Sequence, residues 1–262
     1  MVKNEIYGTR PKFLEPYLEK IKGIFLFKNI WFVTCINRIN PDVRTRYLMV
    51  KECFTRNELD STDMSVLRPF FKNYIKMWAV HIDADEAYYR NEGTAIKLLT
   101  LSELKEELLC VTKCKYLSGR GVTSEEASPF SQFFRSMMGS GFSFIDIDFI
   151  IYNQKNKERR LTVLEEKGFV DSQHNTGLIG YGQYLSFLEI YQDALNSQRL
   201  EDNIRWYIVF RDGDVLYLYD VFSRGFPKRS TQYYHRWRKM TEIPLSETQQ
   251  ISLSELIQRI VD

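Results

Sequence analysis

Two periodicities organise the chain. Alternation with a period of two dominates residues 141–168, GFSFIDIDFIIYNQKNKERRLTVLEEKG, where two apolar runs flank a connection rich in Asn, Lys, Glu and Arg. That composition suits a solvated turn between antiparallel strands. Residues 205–221, RWYIVFRDGDVLYLYDV, predict two more aromatic-rich strands meeting at Asp212-Gly213, a strong hairpin signal. A further hairpin is expected in 23–36, GIFLFKNIWFVTCI, turning at Lys28-Asn29. Helices are expected over 12–22, 41–55, 64–80, 101–117, 123–138 and 177–196. In the last, Tyr184, Leu188, Tyr191 and Leu195 form an apolar stripe, with Gln183 beside it in phase with Phe187, Ile190 and Ala194. Thr100 followed by Glu103 has the spacing of a capping box for the helix at 101.

The first hairpin carries charges where a core strand should carry none. Residues two apart on a strand point to one face, so Asp146 pairs with Asp148 and Glu165 with Lys167. Ile145, Ile147 and Phe149 fill the opposite face of the first strand, and Phe144 and Ile150 flank its acids. A strand apolar on both faces is a central one. Carboxylates there are costly to bury unless a cation or firm hydrogen bonds compensate them, and a divalent metal would do so.

An Asp on one apolar strand followed by Glu-x-Lys on the next resembles the PD-(D/E)XK nuclease superfamily. The matching residues are Asp148, Glu165 and Lys167, within FIDIDFII and TVLEEKG, and the resemblance covers roughly residues 120–222. It implies an α/β fold with a central mixed sheet flanked by helices, a restriction-endonuclease-like core. It also implies Mg²⁺-dependent hydrolysis of a phosphodiester bond, with Mn²⁺ able to substitute. Asp148 and Glu165 would be metal ligands, with the Glu166 backbone carbonyl near the metal. Lys167 would position or activate the attacking water and neutralise developing charge. No Pro precedes either acid, since Ile145 precedes Asp146 and Ile147 precedes Asp148. The register is therefore open: Asp148 lies further into the strand, and Asp146 could replace or assist it as a metal ligand. Several branches of the superfamily carry a Gln on the following helix, and Gln183 with Phe187 one turn later is similar to that. A further acid on the preceding helix is matched by Glu125 or Glu126, residues that would equally favour a helix dipole.

Residues 223–240, SRGFPKRSTQYYHRWRKM, contain Arg224, Lys228, Arg229, Arg236, Arg238 and Lys239, no acid, and interleaved Tyr233, Tyr234 and Trp237. Basic side chains neutralise phosphates and aromatic faces stack on bases, so this stretch is expected to be a basic loop, an arm that contacts DNA. Net charge over all 262 residues is only +2, which confines any basic surface to such a patch. Hydrophobic content of 44% and aromatic content of 15% argue for a well-filled core and against extensive disorder. The start, Met1-Val2-Lys3-Asn4-Glu5, has no signal-peptide character, and no apolar run approaches a membrane span. A soluble, intracellular (cytoplasmic) protein without a membrane partner is expected.

Cys35, Cys53, Cys110 and Cys114 are too scattered for a disulfide framework and complete no zinc site, so core or surface cysteines are expected. His81, His174 and His235 form no constellation, although His174 follows the Glu-x-Lys strand closely enough to reach it. His81 with Asp83, Asp85 and Glu86 reads as a polar turn with an acidic helix start. Residues 1–118 form an additional, mostly helical N-terminal region of open role, recognition or oligomerisation, with the expected boundary at 118–121 and the nuclease portion in 119–262.

The expected activity is that of a metal-dependent DNA endonuclease of restriction or mobile-element type, with a homodimer favoured if both strands are cut. Two other readings start from the same strand. Gly139-Ser140 ahead of Asp146 and Asp148 resembles a nucleotidyltransferase, in which Lys167 has no required role. A nuclease-like fold could instead bind DNA without cutting it.

Overall fold

The computed structural model describes residues 12–35, 47–71, 75–112, 128–137, 142–155, 158–167, 170–171, 176–180, 187, 204–224, 231–234 and 238–262. The fold is mixed α/β, strand-rich, with both parallel and antiparallel pairings, as the α/β expectation requires at the level of class. The chain divides into two compact units, and the division falls inside two strands.

The first unit draws on Asn29–Arg68 and Asn73–Asp146. Its strands lie in the order β1 (Ile24–Cys35), β2 (Tyr47–Glu52), β3 (Ile75–Asp83), β4 (Glu86–Asn91), β5 (Lys97–Thr100). β2 runs parallel to β3, and the other neighbouring pairs are antiparallel. On one face Val33, Leu48, Val50, Trp78, Val80, Ala87 and Tyr89 pack with Leu104 and Leu108 of α3 (Leu101–Thr112) and Phe130, Phe133 and Phe134 of α4 (Pro129–Met137). β2 is buried on both faces, because Met49 and Lys51 are as enclosed as Leu48 and Val50. The Lys51 ammonium donates to the Glu58 carboxylate at 2.5 Å and to the Glu52 carbonyl at 2.6 Å. Glu58 lies on α2 (Arg56–Ser61), whose N-cap is the Thr55 hydroxyl. Glu52, also buried, receives the Trp31 indole N–H at 2.8 Å, the Ser128 hydroxyl at 2.7 Å and the Phe130 amide at 2.9 Å. A strand carboxylate thus caps the start of α4, satisfying a helix-end amide that otherwise lacks a partner.

Several sequence expectations change here. The helices expected over 41–55 and 64–80 are, where described, the strand β2 and a 3-10 turn (Met64–Phe70) followed by β3. Strands buried on both faces lack alternation and cannot be told from buried helices by period alone. No hairpin turns at Lys28-Asn29; β1 runs straight through, and Asn29 takes a left-handed φ of 54° inside it. Asn tolerates that region better than other non-glycine residues, so the strand continues through it. The acidic stretch after His81 is a tight β3–β4 turn through Ala84 (φ 51°), not a helix start. The capping box at Thr100 and Glu103 forms as expected. Residues 118–121 and Glu125 and Glu126 lie outside the described residues. Cys53 is buried, with burial pushing its thiol up to about 11, and Cys110 is exposed; both are free.

The second unit draws on Lys12–Lys28, Pro69–Lys72 and Ile147–Asp262. Its strands are ordered β6 (Phe142–Lys155), β7 (Glu158–Lys167), β10 (Ile204–Asp212), β11 (Val215–Asp220), β14 (Gln249–Ile251). β7 is antiparallel to β6 and parallel to β10. One face packs Phe149, Ile151, Leu164, Tyr207, Val209, Leu216 and Leu218 against Leu14 and Leu18 and against Leu256 and Ile260. The first two leucines belong to α1 (Glu15–Leu18) and its N-cap, the last two residues to α6 (Leu253–Val261). The Asp212-Gly213 hairpin forms as expected, with Gly213 at φ 58°.

A separate four-stranded sheet has the order β12 (Thr231–Tyr234), β13 (Arg238–Pro244), β9 (Thr176–Gly180), β8 (Val170–Asp171). Two expectations are corrected by it. The helix expected from 177 begins as strand β9, and the basic stretch expected as a loop is, over 231–234 and 238–240, strand pairing of β12 with β13. Phe187 is the one described residue between 181 and 203; it is helical, fully buried and edge-on to Trp206 at 5.5 Å. Among the described residues no helix is long and apolar enough to cross a membrane.

Two substitutions test this packing. A Cβ at Gly177 would lie 2.4 Å from the buried Phe210 ring, so Gly177→Ala is expected to cost about 1–3 kcal/mol in denaturant unfolding. Glu52→Ala is expected to cost about 3 kcal/mol, since it takes a buried acceptor from the Phe130 amide and from the half-buried Trp31 and Ser128 donors.

Candidate functional site

The backbone ladder between β6 and β7 runs from Lys155↔Glu158 to Phe149↔Leu164. At the next step side chains take over from the main chain. The Asp148 amide donates to Glu165 Oε2 at 3.3 Å, and the Glu166 amide donates to Asp148 Oδ2 at 2.6 Å. Two carboxylates therefore accept strand amides at the point where the main-chain ladder ends. Alternation turns Asp148, Glu165 and Lys167 to one face and Phe149, Leu164 and Glu166 to the other. Glu165 shares its face with Ile208 and Phe210 of β10, and the Gly177 backbone of β9 lies against the Phe210 ring.

Burial makes this arrangement demanding. The Asp148 side chain is 1% exposed and that of Glu165 0%. Each has an ammonium partner. Lys167 pairs with Glu165 Oε1, the two residues apart on one face that the Glu-x-Lys spacing predicts. The partner of Asp148 lies far away in sequence: the Lys12 ammonium sits 2.6 Å from Oδ1. An isolated ionised carboxylate in such a place would instead take up a proton.

Glu166 adds a second tie to the same N-terminal segment. Its carboxylate accepts the Phe13 amide at 2.9 Å and the Leu14 amide at 3.0 Å, while Leu14, the N-cap of α1, offers no side-chain cap of its own. Burial pushes the Glu166 carboxyl above its ordinary value, and the Leu14 and Phe13 N–H groups pull it back. The Arg211 guanidinium stacks 4.3 Å over the Phe13 ring and holds the same segment from the β10 side. Residues 12–14 are thus clamped at the end of β7 by Asp148, Glu166 and Arg211.

Of the residues singled out in the sequence, Asp148, Glu165 and Lys167 come together. Asp146 lies two residues earlier on β6, half-buried and on the face of Asp148, as alternation requires. Gln183, Lys228, Arg229, Arg236, His174, Gly139 and Ser140 lie outside the described residues. Arg224 is exposed at the end of α5 (Val221–Arg224), and Arg238 and Lys239 open strand β13, paired with Tyr234 and Tyr233. Sequence reading missed Lys12 and the Glu166 side chain. Neither stands out locally, because Lys12 lies in an unremarkable basic stretch and the resemblance gives Glu166 a role only through its backbone carbonyl.

Among the described residues no group of three or more His, Cys, Asp or Glu side chains gathers to hold a metal ion. Mg²⁺ does not need such a cage. One or two carboxylates beside waters and a phosphate suffice, and the hard oxygens of Asp148 and Glu165 fit that requirement. Comparison of the chain with protein-family models, curated proteins and solved structures finds no match.

The ion pairs carry a direct test. Lys167→Met leaves Glu165 buried without its cation and is expected to cost about 3–5 kcal/mol in denaturant unfolding with EDTA present. Adding Glu165→Gln is expected to restore most of that loss, and a strongly non-additive double-mutant cycle is the readout.

Proposed function

We propose that the protein is a metal-dependent nuclease of the PD-(D/E)XK type that hydrolyses phosphodiester bonds in DNA. The observation that carries this reading is the opening of the β6–β7 ladder at Asp148 and Glu165, with the Lys167 ammonium on Glu165. A strand end that encloses two carboxylates and a lysine is poorly explained by stability alone. Replacing buried ion pairs by apolar residues is often neutral or stabilising.

On this reading Asp148 and Glu165 hold Mg²⁺, or Mn²⁺ in its place. The ion supplies polarisation of the phosphate and a more acidic bound water. Lys167 is oriented by Glu165, which fixes its ammonium beside the ligand set, and it stabilises charge that develops on the phosphoryl oxygens. Asp146, on the same face, is the accessory ligand. Burial of the carboxylates strengthens their attraction for a dication relative to a solvated pair. Lys167 also separates this reading from a nucleotidyltransferase built on Asp146 and Asp148. That alternative gives no task to a lysine on the second strand, and here the lysine contacts a buried acid.

Cleavage of supercoiled plasmid and of branched and single-stranded oligonucleotides tests the proposal, with Mg²⁺, Mn²⁺ or EDTA. Metal-dependent cutting is expected, falling at least about 10²-fold in Lys167→Ala and Asp148→Asn. Asp146→Ala is expected to reduce cutting less. Tight DNA binding without cleavage on any substrate would favour a binding protein, and transfer of labelled nucleotide would favour the nucleotidyltransferase.

A further inference from the structure

The four carboxylate oxygens of Asp148 and Glu165 are not held alike. Asp148 Oδ2 and Glu165 Oε2 receive main-chain amides, which cannot leave without breaking the strand end. Glu165 Oε1 pairs with Lys167, a side chain 18% exposed and anchored two residues away on the same strand. Asp148 Oδ1 pairs with Lys12, a side chain 39% exposed whose backbone precedes the clamped segment at Phe13 and Leu14. Of these described partners Lys12 is therefore the most exposed and the one best placed to swing into water while the two amides and Lys167 stay in place. Its backbone neighbours remain tied to Glu166 when the ammonium departs.

Resting on the metal-dependent reading above, we propose that Lys12 is a built-in counter-ion for the metal site, occupying Asp148 Oδ1 until a divalent cation displaces it. The exchange is one positive group for another on the same oxygen. The buried carboxylate is compensated before the metal arrives, and the site does not have to close around it. Metal affinity is then set partly by the Lys12–Asp148 ion pair, a contact that the metal must break. The released ammonium stays tethered beside the site, where a phosphate oxygen is a suitable new partner.

Mn²⁺ binding to the full chain without DNA tests this, measured by calorimetry together with thermal unfolding in Mn²⁺ and in EDTA. Lys12→Met is expected to melt at a lower temperature than wild type in EDTA and to bind Mn²⁺ about fivefold more tightly, the size suited to a partly exposed ion pair. Mn²⁺ should raise the melting temperature of Lys12→Met more than that of wild type. Lys12→Gln, which keeps a hydrogen-bond donor, is a second variant should Lys12→Met fail to fold, and it should shift Mn²⁺ affinity in the same direction. Asp148→Asn should abolish the difference between Lys12 and its replacements. Equal Mn²⁺ affinity in wild type and the Lys12 variants, with binding lost in Asp148→Asn, overturns this inference and leaves the nuclease reading standing. Absence of Mn²⁺ binding in every variant, together with absence of cleavage, overturns both.

Discussion

Everything at the candidate site follows from one constraint: Asp148 and Glu165 are ionisable groups enclosed at the place where β6 and β7 stop sharing main-chain bonds. Their carboxylates accept the amides of Glu166 and Asp148 where the ladder ends, and that use fixes where each carboxylate points. Once pointed inward they require cations. Lys167 and Lys12 supply them, and Lys12 can do so because α1 is docked beside the strand end by Leu14, Leu18 and the Glu166 carboxylate. Docking of a four-residue helix, compensation of a buried acid and orientation of a lysine are thus parts of one charge arrangement. A helix so short has almost no stability of its own, so its position is owed to these tertiary contacts.

Each unit uses a strand glutamate in the same way. Glu52 at the end of β2 takes the Phe130 amide at the start of α4, and Glu166 near the end of β7 takes the Phe13 and Leu14 amides at the start of α1. The first turn of a helix offers amides without intrahelical partners and a partial positive charge, so an anion from a neighbouring strand both caps and attaches it. The difference lies in the remaining company. Glu52 is surrounded by neutral donors, Trp31 and Ser128, whereas Glu166 adjoins Asp148, Glu165 and Lys12. The first arrangement is complete as structure. The second leaves charge concentrated at one strand end, and for that reason it reads as a site.

What could be read from the sequence depended on how local each signal was. The β6–β7 hairpin and the face shared by Glu165 and Lys167 were legible, because alternation over ten residues fixes which side chains lie together. The β10–β11 hairpin was legible through Asp212-Gly213. β2 and β3 were not, since Leu48, Met49, Val50 and Lys51 are all buried and no period survives on a strand enclosed from both sides. β9 was hidden for a related reason: Gly177 and Gly180 fall inside the helix expected over 177–196, whereas Gly177 is the residue that lets the strand lie against Phe210. Lys12 belonged to no local pattern. Its partner Asp148 lies in the other half of the sequence, and only the docking of α1 makes the pairing apparent.

The charge balance also bears on what the proposed site would accept. Two ammonium groups face the two buried carboxylates one for one, and the Glu166 carboxylate adjoins them. A dication on Asp148 releases Lys12 from that carboxylate, so the strand end gains two positive charges in a place of poor solvation while the ammonium stays nearby. A neutral ligand does nothing for this imbalance. A phosphodiester does, because it brings negative charge and oxygen acceptors to the metal and to the displaced ammonium together. On the proposed reading, metal and nucleic acid should therefore bind with mutual reinforcement. The free protein would hold metal weakly, with Lys12 still competing, and hold it firmly only when a phosphate is present to receive that lysine.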